Sequence, residues 1–444
     1  MPYINRRGFI AGAATIIAAS KVSAADKLTA GIMGLGGRGT SLTQMLCLRD
    51  DVNIKYLCDV DESKFARVAA EVDDLTGQVP KRITDFRVML DDPEVDFIVV
   101  ATPVHWHALA TVLACQAGKH VYVEKPVSQS VWEGRKMVEA ARKYKCVVQS
   151  GQQNRSGDYI YKAAEFIKSG ALGKIHQCRI VEFINYGRQF PSIKPKPVPD
   201  GMNWDVFCGP APLHPYTGTR VDRVMWDYCT GPIIDDGIHQ LDVARWILGV
   251  TAPKAVHNSA GLYSGRANWE VPDTQVMVWE FDDMLMTLNG STMTPYCKKA
   301  QFEFFKSHWG PNQIDENQFP EWMFNATRFE VYGTDAMMIF GRHGGGYQVY
   351  GKDGGLMLEQ HGKLQLDTHI ENFCDCIRTG KKPNGDIEEA VLSTNLAHIA
   401  HIAHRVGNRQ LQWDGDKEQF INDDEANALV KREYRKPWVI PEKV

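Results

Sequence analysis

Residues 231 to 249 read GPIIDDGIHQLDVARWILG. Ile234, Ile238, Leu241, Ala244 and Ile247 recur at intervals of three and four, which predicts a helix with one buried face. Asp235, Asp236, His239 and Asp242 sit inside the same apolar run. A buried carboxylate is costly without a partner or a task, so this helix is a candidate site.

Elsewhere the pattern follows two regimes. From Lys27, short apolar runs alternate with helical periods. KLTAGIMGLGGRGTSLTQMLCLRD reads as strand, glycine-rich turn and helix, and VNIKYLCDVDESKFARVAAEV as strand, acidic end and helix. VDFIVVATPVHWHALATVLACQAG and HVYVEKPVSQSVWEGRKMVEAARKYKC repeat the unit, and VVQSGQQNR supplies a last strand. This alternation predicts an α/β fold with a doubly wound parallel sheet covered on both faces, spanning residues 25–151. Beyond it, TQVMVWEF, LMTLNGST, FEVYGTDAMMIFG and YQVYG alternate with period two, as antiparallel strands with one covered face do. The second domain, 152–444, is therefore α+β. Its two C-terminal helical segments begin at Thr368 and Asp386, and they are expected to pack back on the fold.

With 444 residues the chain exceeds one ordinary core, which agrees with two domains. A net charge of -4 without a long basic run argues against nucleic acid or an anionic membrane as partner. No apolar stretch is long enough to span a bilayer. The N-terminus, NRRGFIAGAATIIAASKVSAAD, places Arg6 and Arg7 before an apolar run and a Val22-Ser23-Ala24 cleavage pattern. It reads as an export signal of twin-arginine type over residues 1–24, so the protein is expected in the periplasm or otherwise exported. Asn5 stands where Ser or Thr is usual and no lysine closes the pattern, which leaves a Sec or lipoprotein-like route open. The ten cysteines are scattered without a C-x-x-C and read as buried thiols rather than a disulfide or zinc framework.

GIMGLGGRG sets Gly34, Gly36 and Gly39 in G-x-G-x-x-G spacing between a strand and a helix, with Leu35, Gly37 and Arg38 in the same loop. Glycines admit a tight turn and a close backbone approach, and the helix N-terminus attracts a pyrophosphate. Asp59 ends the next strand, where a carboxylate accepts hydrogen bonds from a ribose diol and repels a 2′-phosphate. NAD is thus expected over NADP, although Arg38 keeps NADP open. Thr102, Pro103, His105 and His107 follow a later strand and are expected along the nicotinamide side of the cofactor. His105 and His107 lack an acidic or thiol partner nearby, and no metal site is assigned. His398, His401 and His404 share helical spacing on an Ala- and Ile-rich helix, which reads as packing or surface rather than zinc.

Together GLGGRG, CDVD, ATPVHWHA, VEKP and DDGIHQLD resemble the Gfo/Idh/MocA oxidoreductases, a family that includes inositol dehydrogenases and glucose–fructose oxidoreductase and is related to NAD-dependent glycosidases. The resemblance covers nearly the whole chain after the leader. It implies a Rossmann domain followed by a domain with a large open, mainly antiparallel sheet, through which a homodimer or homotetramer would form. It also implies Lys125, Asp235 and His239 as the catalytic group, with Glu124 and Pro126 shaping the turn that carries Lys125. Asp236 is extra to the family pattern and is expected to face solvent or to act as a helix N-terminal charge.

The chemistry fits those roles. Oxidising a secondary alcohol removes a proton from oxygen and a hydride from carbon, and imidazole is suited to take the proton. Asp235, one turn before His239, could orient the ring, and the Lys125 ammonium could stabilise negative charge on the reacting oxygen. Gln152 and Arg155 open the second domain and are candidate substrate contacts. Trp226 and Tyr228, close to the catalytic helix, either stack on a sugar face or pack. Asp242 reads as a buried hydrogen-bond partner. The leading function is oxidation or reduction of a sugar or glycoside hydroxyl, at C3, with a tightly held cofactor. A redox-neutral NAD-dependent glycosidase is the alternative. A non-catalytic sugar or nucleotide sensor is a third reading.

Overall fold

The computed structural model describes residues 27–185, 194–218, 223–264, 269–294, 297, 326–342, 344–363 and 365–444. The expected leader, 1–24, lies outside them. Six strands form the first sheet: β1 (Leu28–Met33), β2 (Val52–Cys58), β3 (Lys81–Ile83), β4 (Phe97–Val100), β5 (His120–Val123) and β6 (Val148–Ser150). Their order is β3-β2-β1-β4-β5-β6, and every pairing is parallel. The four residues of β4, FIVV, are all buried, as helices on both faces demand. Those helices are α1 (Gly37–Cys47), α2 (Phe65–Thr76), the short α3 (Arg87–Leu90), α4 (His107–Gln116) and α5 (Val131–Lys143).

After α6 (Asp158–Lys168), the second sheet begins with β7 (Ile175–Phe183). Next come α7 (Trp204–Cys208) and α8 (Pro232–Leu248). The remaining strands are β8 (Ala255–Gly261), β9 (Thr274–Glu280), β10 (Leu285–Ser291), β11 (Thr327–Gly333), β12 (Ala336–Gly341), β13 (Tyr347–Gly351), β14 (Leu356–Gln360), β15 (Leu411–Asp414) and β16 (Gln419–Phe420). The order is β14-β13-β12-β11-β7-β10-β9-β8-β15-β16. Only β7 and β10 run parallel; the other pairs are antiparallel. The fold class expected from the chain pattern is the one observed.

Close backbone approach seats α8 on this sheet. A Cβ on Gly290 in β10 would lie 2.4 Å from Ile233, and one on Gly237 in α8 would lie 3.1 Å from Glu182 in β7. Glycine at both positions lets the helix sink toward the strands. Two further helices follow, α9 (Leu366–Thr379) and α10 (Ile387–Arg405). Ile387, Ala390 and Val391 at the start of α10 pack into the core of the parallel sheet, whereas Leu396, Ala397 and Ile399 pack into that of the ten-stranded sheet. One helix therefore contributes to both cores. The C-terminal segment adds Trp438, Ile440 and Val444 to the first core.

Candidate active site

The glycine turn divides its labour. Gly34 has φ +91°, and a Cβ there would lie 2.7 Å from the Ala101 carbonyl oxygen. A Cβ on Gly39 would overlap the Gly34 carbonyl oxygen at 1.8 Å. These two glycines pack α1 against the turn, while Gly36 and Gly37 would meet nothing within 4 Å and face open space. The first turn of α1 holds no acidic residue, and its N-cap makes no side-chain bond, so its amides stay available to an anion. The Leu35 side chain is core; its backbone N–H donates to Asp59 Oδ2 at 2.7 Å. The Asp61 N–H donates to Asp59 Oδ1 at 2.9 Å. Burial pushes the Asp59 carboxyl above the usual range, against the pull of these two amides.

Arg38 reaches from α1 to the end of β5, where its Nε lies 2.7 Å from Glu124 Oε1. Burial pushes Glu124 upward, but Arg38 and Lys125 beside it outweigh burial and hold it below its usual range. His107 lies between two carbonyl oxygens, Nδ1 at 2.8 Å from Pro126 and Nε2 at 2.9 Å from Thr102. Burial lowers its pKa, and the ring stands between the turn after β4 and the turn carrying Lys125. Thr102, Pro103 and His107 line the cavity. His105 corrects its expectation. It stands in a tight turn before α4, with Nε2 2.8 Å from the Phe207 carbonyl and its ring edge-on to Tyr228 at 4.8 Å. Burial pushes its pKa down to about 3, and it is a packing residue.

At the far end of the cavity Lys125 meets α8. Pro232 begins that helix after Gly231, and Gly249 ends it in the left-handed conformation. Lys125 Nζ donates to the Asp235 carbonyl oxygen at 2.5 Å and to Asp235 Oδ1 at 3.1 Å. Arg223 pairs with Asp235 Oδ2. Asp235 is therefore held by two cations, where the spacing alone gave it the imidazole. His239, one turn on, lines the same cavity.

The other acids of this helix divide by partner. Asp236 is buried and paired with the buried Arg342, contrary to the expected solvent-facing charge. Asp242 accepts from Arg155 Nε at 2.8 Å, from Arg155 Nη2 at 2.7 Å and from Ser393 Oγ at 2.6 Å, as a buried partner should. That pairing corrects Arg155, whose guanidinium is committed to Asp242 and lies off the cavity. Gln152 is also off it, its Oε1 taken by Ser150 Oγ at 3.0 Å. Trp226 packs edge-on against His401 at 5.0 Å, with Arg405 over its ring. Tyr228 is fully buried, and its hydroxyl lies 3.2 Å from the Pro212 carbonyl. Both are packing residues. His398 is held by Ser128 Oγ at 3.2 Å. Nine of the ten cysteines are buried.

The cavity measures about 660 Å³ and runs from Asp59 and Arg87 past the glycine turn to Lys125, Asp235 and His239. Its open glycine faces, its available helix N-terminus and the buried Thr102 Oγ1 and Arg38 Nη2, which have no partner among the described residues, fit a dinucleotide. Residues 200–208 cover the Asp59 end: the Glu62 N–H donates to the Gly201 carbonyl at 2.9 Å, and the Asn203 N–H to that of Val60 at 2.8 Å. Trp438 from the C-terminal segment also lines this end, edge-on to Trp106 at 5.1 Å. Arg223, Arg342, Gln153, Thr230 and Trp438 carried no motif. Gln153 alone had a pointer, as the neighbour of Gln152.

Comparison with known proteins agrees with this geometry. Residues 28–152 match the model of an oxidoreductase family with an NAD-binding Rossmann fold. Residues 162–266 and 330–440 match that family's C-terminal alpha/beta domain. A myo-inositol 2-dehydrogenase of Thermotoga maritima is 25% identical over 281 residues, 62% of this chain and 72% of that protein. A glycosyl hydrolase family 109 protein of Shewanella sp. is 28% identical over 122 residues, 27% of each chain. Among solved structures, aldose-aldose oxidoreductase from Caulobacter crescentus, complexed with glycerol, superposes with a TM-score of 0.63 at 19% identity, over 87% of this chain and 99% of the other. Levoglucosan dehydrogenase in complex with NADH and levoglucosan gives 0.61 at 17%, over 87% and 99%. At these identities the structural likeness speaks for the fold.

Proposed function

The chain belongs to the Gfo/Idh/MocA oxidoreductase family, and from that premise we propose that it oxidises a secondary hydroxyl of a sugar or glycoside at C3, and runs the reverse reduction, while holding its NAD through the cycle. The observation that carries this reading is the meeting of Lys125 with Asp235 in the cavity that also holds the glycine turn and His239.

When bound, NAD supplies a hydride acceptor and, once reduced, a hydride donor. The glycine turn, Asp59, Thr102 and Arg38 would hold it. Lys125 sits at the C-terminal end of a parallel strand, where ligands bind in such sheets, and its ammonium donates to the reacting oxygen and stabilises charge there. Asp235 keeps that ammonium aimed. His239 takes the hydroxyl proton and returns it in the reverse direction. Retention of the cofactor is supported by the cover that residues 200–208 and Trp438 place over the Asp59 end.

The likeness to a glycosyl hydrolase family 109 protein favours a second reading, a redox-neutral glycosidase. A ketone at C3 acidifies the C2 hydrogen, so a proton-handling pair in this position would remove it and let the aglycone leave. Denaturing the purified protein and identifying the released nucleotide tests retention. Incubation with a glycoside panel then separates the readings: 3-keto product with an acceptor sugar consumed marks the first, and free aglycone without net NADH marks the second. If Lys125→Ala and His239→Ala both leave turnover unchanged with NAD bound, these catalytic assignments fail; if NAD-loaded wild type turns over no glycoside, a non-catalytic sensor remains.

The leader and the assembly belong to the same proposal. Residues 1–24 direct export, tested by fusing them to a reporter that folds before transport. Copies associate as a homodimer or homotetramer through the open face of the ten-stranded sheet, where Val276 and Leu285 stand exposed. Light scattering on the purified protein tests that.

A further inference from the structure

We propose that Gln153 and Thr230 read substrate hydroxyl groups on either side of the reacting centre, which makes the substrate a ring polyol rather than a simple alcohol or hydroxy acid. This inference rests on the oxidoreductase reading above and names which residues select its substrate.

Gln153 opens the tight turn after β6. That strand end lies beside the end of β5, with the Gly151 N–H donating to the Val123 carbonyl at 2.7 Å, so Gln153 flanks the turn that carries Lys125. Thr230 immediately precedes Gly231 and Pro232 and leads into the helical turn that holds Asp235. Both residues line the cavity. Gln153 is 8% exposed and Thr230 is 3% exposed. The Oε1 of Gln153 and the Oγ1 of Thr230 are buried without a partner among the described residues.

A buried polar atom left without a partner is destabilising, so such atoms in a native cavity point to a ligand that completes them. A carbonyl oxygen such as Gln153 Oε1 only accepts, so the ligand there must donate, as a hydroxyl does and a ketone or ether does not. Thr230 Oγ1 both donates and accepts, which again suits a hydroxyl. The two come from different segments, one beside the turn that carries Lys125 and one leading into the turn that holds Asp235, so the ligand carries at least two hydroxyls besides the one that reacts. Thr102 Oγ1 and Arg38 Nη2, also unpartnered among the described residues, lie by the dinucleotide turn, and Gln149 Oε1 and Gln152 Nε2 lie off the cavity.

The test uses the full-length protein, a methyl glycoside turned over by wild type, and its monodeoxy derivatives. Gln153→Leu and Thr230→Val are expected to raise KM for the glycoside about ten-fold or more, to leave NAD affinity unchanged, and to keep the melting temperature. Gln153→Glu and Thr230→Ser, which keep an acceptor, are expected to recover most of the loss. A monodeoxy sugar lacking the hydroxyl read by Gln153 should be poor for wild type yet suffer no further loss with Gln153→Leu. Unchanged KM in both apolar variants, or a loss in NAD affinity instead, overturns the proposal while the oxidoreductase reading stands. The second outcome would assign these atoms to the nicotinamide carboxamide. Absence of turnover of any glycoside by NAD-loaded wild type overturns both.

Discussion

Lys125 and Asp235 lie 110 residues apart in the chain and meet between the two sheets, Nζ at 2.5 Å from the Asp235 carbonyl oxygen and 3.1 Å from its carboxylate. The contact uses backbone and side chain together, so α8 positions Lys125 even before the carboxylate contributes charge. Replacing Asp235 by Asn should leave NAD binding intact and lower turnover by roughly 10²- to 10³-fold, because the ammonium keeps a neutral acceptor but loses its anion. Lys125→Met should lose more, roughly 10³- to 10⁴-fold. Single-turnover reduction of bound NAD measures both.

The glycine turn predicts a different failure. Gly39→Ala would press a methyl into the Gly34 carbonyl at 1.8 Å. The variant should lose NAD binding and melt at lower temperature. Gly37→Ala, whose Cβ would meet nothing within 4 Å, should fold as wild type and weaken NAD only. Calorimetric melting with and without added NAD separates the two.

The Arg155–Asp242 pair is a stability element. Its side chains are 2% and 1% exposed, so removing one partner strands a buried charge. Asp242→Ala should destabilise by about 3–5 kcal/mol. The double variant Arg155→Met with Asp242→Leu should regain much of that, since no charge is left unpaired. Denaturant unfolding measures the difference.

Buried histidines predict loss of stability in acid. Burial pushes His105 down to about 3 and His369 and His398 down to about 4, from an ordinary value of 6.5. Below pH 6.5 the unfolded chain binds protons that the folded rings refuse, so the unfolded state binds more and stability falls as pH drops. The loss should begin near pH 6.5 and continue to about pH 4, on the order of 3 kcal/mol for each ring at the acid end. His398→Gln should flatten the dependence of melting temperature on pH between 7 and 5. An equally steep slope in that variant counts against the assignment.

The parts legible from residue order were those whose chemistry is local. Gly34, Gly36 and Gly39, the acid ending β2, and the pair Asp235 and His239 at one helical turn each carry their meaning in spacing. The alternation of β1 to β6 with helices was legible for the same reason, since burial on both faces forces apolar strands. Misreadings came where neighbours point different ways. His107 lines the cavity, but His105, two residues earlier in a tight turn, faces Phe207 and Tyr228. Gln152 turns into the protein and Gln153 into the cavity.

By itself the sequence determined the two-sheet architecture and the dinucleotide turn, because periodicity and motif spacing act over one or two turns of chain; the proposed roles of Lys125, Asp235 and His239 rest on the family resemblance. Only the tertiary structure decided the partners. Asp236 is buried because Arg342, 106 residues away, reaches it. Arg155 is structural because it pairs with Asp242, which Ser393 also holds, and Asp235 answers to Lys125 and Arg223 together. A charged side chain takes its role from the charge it meets, and that meeting depends on how α8, β5 and the loop after β12 are packed.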